Sequence, residues 1–154
     1  MTENAHFPEA VVRDVVARVL GAVGLLGIAL IHLLDVIGKF GETPYIAWMY
    51  VAAMVAAIVL AGVLVVRGSS RAAWAATGSL AAAILIGFVL SRTTGLPDAT
   101  DDVGNWSEGL GLASMFVEAA VIALSGWALA ALPFARTTSR PRATTPARAE
   151  RQPA

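Results

Sequence analysis

The chain has 154 residues, of which 57% are hydrophobic and 14% charged, with a formal net charge of zero and no cysteine. So much apolar sequence, gathered into long runs, excludes an ordinary soluble domain. The missing thiol excludes disulfides, thiolate metal sites and covalently attached haem.

Residues 1–18 form a cytoplasmic lead-in. Pro8 suits a first helical position, Glu9 and Asp14 suit the positive end of a helix, and Val11, Val12, Val15, Val16 and Val19 recur on one side. This predicts an amphipathic segment that either lies on the membrane surface or runs straight into the first span. That span, 19–37, is longer than the apolar core of a signal peptide. It is followed by Gly38, Lys39, Phe40 and Gly41 rather than a small-residue cleavage site, so it is expected to be retained. At about 3.6 residues per turn, Gly21, Gly24, His32, Asp35 and Lys39 share one sector, which is predicted to face protein. Lys39 itself reads as a snorkelling residue of the interface.

Thr43 and Pro44 make a cap and first-turn pair for a second span over 45–66, and Ser70 can cap a third over 72–90. Ala53, Ala57 and Ala61 in one, and Ala75, Ser79, Ala83 and Gly87 in the other, recur at every fourth position and predict tight helix pairs. Arg92 leaves the end of the third span beside the longest loop. Asp98, Asp101, Asp102 and Glu108 in that loop predict an acidic outer vestibule. Gly104 and Glu108 miss the register of a helix-loop-helix calcium site, so an acidic turn before the next helix is the preferred reading. Asn105 with Glu108 resembles a capping box for the fourth span, 110–132. There Ser107, Gly111, Ser114, Glu118 and Ser125 form a small, polar stripe predicted to face inward. From residue 135 the chain turns basic and proline-containing, with too little apolar surface to fold, and a disordered cytoplasmic tail is expected over 135–154.

Each span matches the roughly 20 residues that cross a hydrocarbon layer as a helix. Backbone groups in lipid must be satisfied within the helix, so the predicted fold is all-α: an integral membrane four-helix bundle. Arg13, Arg18, Arg67, Arg71 and the tail arginines fall on one side, and only Lys39 and Arg92 on the other. The positive-inside rule then puts both termini in the cytoplasm of a bacterial plasma-membrane protein. Phe40, Tyr45, Trp48, Tyr50, Phe88 and Trp106 are expected in an outer aromatic belt, and Trp74, Trp127 and Phe134 in an inner one.

Inside this frame His32 lies about 7 to 8 Å, and Glu118 about 12 Å, below the outer ends of their spans. With Asp35 and Arg92 they form the candidate polar site. A carboxylate at that depth needs neutralisation or a cation, and His32 and Arg92 are the residues near enough to supply one. The functional expectation is a small membrane protein whose outward-facing polar site binds an ion, a proton or a small polar ligand. It would serve as a sensor, transporter component or accessory subunit. The alternative is a structural or assembly subunit whose buried charges only fix helix packing. An enzyme ranks last, since no nucleophile–base pair, phosphate loop or dense metal-ligand motif is present, and the residues identify neither cofactor nor metal. The expected partners are the lipid bilayer and either a second copy of the chain or a larger membrane protein, and not nucleic acid. Four spans without a broken helix are too few for a complete transport path.

Two stretches carry a resemblance: His32-Leu-Leu-Asp35-Val-Ile-Gly-Lys39-Phe-Gly-Glu42-Thr-Pro44-Tyr45, and Ser91-Arg92-Thr-Thr-Gly95-Leu-Pro97 through Asp101-Asp102-Val-Gly104-Asn105-Trp106 to Phe116-Val-Glu118. Over roughly residues 29 to 125 the chain resembles an uncharacterised group of small four-span integral membrane proteins of high-GC Gram-positive bacteria. The resemblance implies the membrane fold and no particular activity.

Overall fold

The computed structural model describes residues 8–134. The basic tail, 135–154, and the first seven residues of the lead-in lie outside the described residues. Four helices follow in order: α1 (Glu9–Glu42), α2 (Pro44–Arg67), α3 (Arg71–Thr93) and α4 (Gly109–Ala131). Each is long and apolar enough to cross a membrane. The lead-in and the first span are one continuous helix of 34 residues. At about 1.5 Å per residue that is roughly 50 Å, well beyond a ~30 Å hydrocarbon layer.

The breaks between helices have local causes. Thr43 precedes a proline, whose ring disfavours helical backbone at the residue before it, and Thr43 sits at φ −145°, ψ 87°. One residue thus separates α1 from α2. Gly68, at φ 78°, ends α2 in the left-handed region, and Ser70 accepts a hydrogen bond from the Ala73 backbone N–H at 3.1 Å to start α3. The expected capping box at α4 does not form. The helix begins at Gly109, Glu108 is the residue before it, and no side chain caps it, because the Glu108 carboxylate is drawn to Arg92 instead. Thr43 likewise occupies its predicted cap position without a side-chain cap bond.

Short connections make neighbours antiparallel. Contacts run α1–α2, α3–α4, α1–α4 and α2–α3 around the bundle, the first the most extensive and the last the thinnest. The Thr43 turn and the 94–108 connection share one end, called the loop end below. The other, terminal end carries the start of α1, the 68–70 connection and the end of α4. Leu25, Ile28, Leu64, Trp74 and Val121 form the centre of the core with alanines from all four helices. The small, polar sectors predicted in α1 and α4 turn inward at Gly21 and His32, and at Gly111, Ser114, Glu118 and Ser125, which are buried, whereas Ser107 precedes α4 and is exposed. Close approach there requires glycine, since a Cβ on Gly24 would lie 2.5 Å from Val121 Cγ2.

Two packing expectations are corrected. Trp74 is not an interfacial residue but fully buried, its indole N–H donating to Ser69 Oγ at 3.2 Å, because the gap beside Gly21 admits the ring. The every-fourth-residue stripe of α3 does not make a tight pair either. Ala75, Ser79 and Ala83 are exposed, and the buried face of α3 is Ala73, Trp74, Thr77 and Ala81. Small side chains permit close packing but supply little contact area to enforce it. Large apolar side chains cover the outer surface, Ile37 being 80% and Phe116 77% exposed.

Candidate functional site

The loop end is organised around Arg92. It lies in the last turn of α3 and is only 6% exposed, so its guanidinium needs counter-charge. Two carboxylates supply it. Asp102 Oδ1 approaches Nη1 at 2.6 Å and Glu108 Oε2 accepts from Nη2. The guanidinium also lies over the Phe88 ring, 5.0 Å from its centroid. The Nη1 contact is a close ion pair off the hydrogen-bond line, and Nε has no hydrogen-bond partner among the described residues. Lys39, from the last turn of α1, donates to Glu42 Oε2 at 2.8 Å and lies 3.6 Å from Asp102 Oδ2. Glu42, Lys39, Asp102, Arg92 and Glu108 therefore form one alternating chain of charges that straps α1, α3 and the loop together.

The loop is folded to make this possible. Gly95 at φ 74° closes α3, its N–H bonding Leu90 O at 3.0 Å. Pro97 and Asp98 then turn the chain between Leu96 and Ala99. With proline first and Asp98 at φ 56°, the turn is type II. Tyr45 donates its hydroxyl to Pro97 O at 2.6 Å, and the Gly104 N–H bonds Arg92 O at 2.9 Å, so both α2 and α3 hold the loop down.

Beneath the strap lies a cavity of about 210 Å³ whose walls include His32, Asp35, Lys39, Tyr50, Arg92, Asp102 and Ser114 at its polar end. Met49, Ala53, Ala83, Ile84, Gly87 and Phe88 make its apolar flank between α2 and α3. A smaller space of about 40 Å³ adjoins it toward Glu108 and Gly111 and shares His32, Asp35 and Arg92. His32 donates from Nδ1 to Ile28 O at 2.9 Å, and its ring meets Tyr50 edge-on at 4.7 Å between centroids. That hydrogen bond puts a proton on Nδ1, so in the neutral ring Nε2 is the acceptor.

The structure thus brings His32, Asp35 and Arg92 to one cavity and leaves Glu118 apart. Glu118 is fully buried one turn below Ser114, whose hydroxyl donates to Oε1 at 2.6 Å, while Oε2 has no partner among the described residues. Neither His32 nor Arg92 reaches it. Of the vestibule residues, Asp102 lines the main cavity and Glu108 the smaller one, whereas Asp98 and Asp101 are exposed and line neither. Three contributors were not anticipated in these roles. Lys39 joins the strap, Tyr50 packs on His32 rather than in a belt, and Ser114 serves Glu118. The four-residue spacing of Ser114 and Glu118 was a legible signal for that last pair.

Among the described residues no group of three or more His, Asp or Glu side chains converges as a metal site. Compared with protein-family models, curated proteins and solved structures, the chain matches none, and its functional reading therefore rests on its own residues.

Proposed function

We propose that the chain is a multi-pass protein of the bacterial plasma membrane, with both termini cytoplasmic, that binds an ion, a proton or a small polar ligand in the cavity beneath the strap. It would act as a sensor, transporter component or accessory subunit. The supporting observation is the unequal use of charge around that cavity. Lys39 and Arg92 are committed to Glu42, Asp102 and Glu108, whereas Asp35 has no ion-pair partner among the described residues and His32 keeps one nitrogen free. Packing alone gives no reason to keep an unpaired acid on a cavity wall inside a helix bundle. Kinship with the small four-span proteins of high-GC Gram-positive bacteria fits this reading. So does assembly with a second copy or a larger membrane protein, for which exposed Ala75 and Ser79 leave room at the terminal half of α3.

The structural-subunit reading is favoured by a different observation. Arg92 is ion-paired by two acids of its own loop, which is what a clamp fixing helix ends requires. One experiment separates the two. The thermal midpoint of purified protein in phosphatidylcholine nanodiscs is followed across pH and with sodium, magnesium, calcium, glycine and ethanolamine, for wild type and Asp35→Asn. Binding requires at least one condition to shift the wild type by several degrees and the variant by much less. A flat response in both leaves the clamp.

A further inference from the structure

The cavity is strapped across the loop end and open at the side. Toward the loop end, Lys39, Asp102 and Arg92 stand in one chain of ion pairs. Toward the side, α2 and α3 make the thinnest of the four contacts around the bundle, and Ala53, Ala83 and Gly87 leave a slot between them. Met49 and Ala83 line the cavity and are at the same time exposed on the outside of the bundle, Met49 at 59%. The exposed side chains of the two helices are apolar, Val59 and Ile86 among them. If the helices span a bilayer, this opening meets lipid rather than water.

The cavity also carries Lys39 and Arg92, but both cations are already ion-paired with acids. Lys39, one turn along from Asp35, is drawn to Glu42 and Asp102 instead. His32 and Asp35, three residues apart on α1, lie on one helix face, so an acceptor nitrogen and a carboxylate stand side by side. Such a wall recognises a hydrogen-bond donor, and most strongly a cation. Size limits the rest. At ~30 Å³ per water, about 210 Å³ holds on the order of seven waters, enough for a small head and a few carbons but not a whole lipid.

We propose that the cavity takes the amine-bearing head of a membrane-borne amphiphile that enters sideways between α2 and α3, its head held by Asp35 and His32 and its apolar tail leaving through the Met49–Ala83 slot. This deepens the binding reading above and rests on it. A tail concentrates the ligand in the bilayer, by ~0.8 kcal/mol per methylene buried, and so presents it at the slot.

The test uses the full chain in phosphatidylcholine nanodiscs with dodecylamine, dodecanoate and propylamine as probes and the thermal midpoint as readout. Dodecylamine is expected to stabilise the wild type at a concentration at least tenfold below that of propylamine, and dodecanoate not to stabilise it. Asp35→Asn should weaken the dodecylamine response at least tenfold. Ala83→Phe should block dodecylamine while sparing propylamine. Gly87→Val repeats that test at a position where an added Cβ meets nothing within 4 Å, so its failure to fold is not expected. Equal responses to dodecylamine and dodecanoate, or indifference to Asp35→Asn, would overturn the donor-head assignment. Propylamine acting as well as dodecylamine, with both slot variants silent, would overturn sideways entry and leave the polar-ligand reading standing. No response to either amine overturns the proposal, and the broader reading falls with it only where the polar probes are silent too.

Discussion

Glu118 shows how a single buried group can be misjudged from its type. A carboxylate in a membrane helix invites the search for a cation, yet its contact is the Ser114 hydroxyl at 2.6 Å and its second oxygen is unpartnered among the described residues. No counter-charge depends on it, so removing its charge strands nothing. Glu118→Gln is therefore expected to match or exceed the wild-type thermal midpoint, since the amide oxygen can still accept from Ser114 and no partner charge is left behind. Ser114→Ala should cost about 1 kcal/mol, a few degrees, by taking away the one bond the carboxylate has. A marked loss of stability in Glu118→Gln would mean that a cation reaches Glu118 after all. Arg92 is the opposite case: the acids meet it across the loop and the α4 junction, which spacing along the chain does not reveal.

The helices were legible from their composition: runs of about 20 apolar residues, Pro44 after Thr43 and Ser70 before α3 mark boundaries that hold to within a few residues, apart from α1. The length of α1 was left open, since Glu9, Asp14, Arg13 and Arg18 are compatible with a surface helix. Their pairing at i, i+4, 4.0 and 3.7 Å apart, suits a continuous one equally. Within the site, His32 and Asp35 share a face by helical period alone, whereas the side of α3 that turns inward depends on Trp74 finding space beside Gly21, a tertiary fact. Helix packing can be tested at Gly24. Gly24→Ala places a methyl 2.5 Å from Val121 Cγ2 and is expected to cost about 1 to 3 kcal/mol, with Val121→Ala in the same chain restoring part of it. Gly38→Ala is the control. An added Cβ there meets nothing within 4 Å, so helix propensity predicts unchanged or higher stability. Equal losses at both positions would show that the α1–α4 contact does not set the effect, since helix propensity favours alanine at each.

A formal net charge of zero conceals a division of charge along the bundle. At the terminal end Arg67 is free of carboxylate contact among the described residues, and Arg13 and Arg18 have only loose partners within α1. At the loop end both cations are tied to acids at short range, so little unneutralised positive charge remains there to oppose crossing the membrane. The positive-inside bias counts arginines and lysines rather than net charge, and by that count the terminal end is the cationic side. The proposed orientation puts the loop end outside, and the absence of cysteine makes that directly measurable. Ala99→Cys, in the turn of the 94–108 connection, should react with a membrane-impermeant maleimide in intact cells. Ala72→Cys, in the exposed first turn of α3, should react only after the cells are opened. The reverse pattern would invert the bundle and turn the strap toward the cytoplasm. The cavity would still open sideways into lipid, but the charge asymmetry would no longer account for how the chain is inserted.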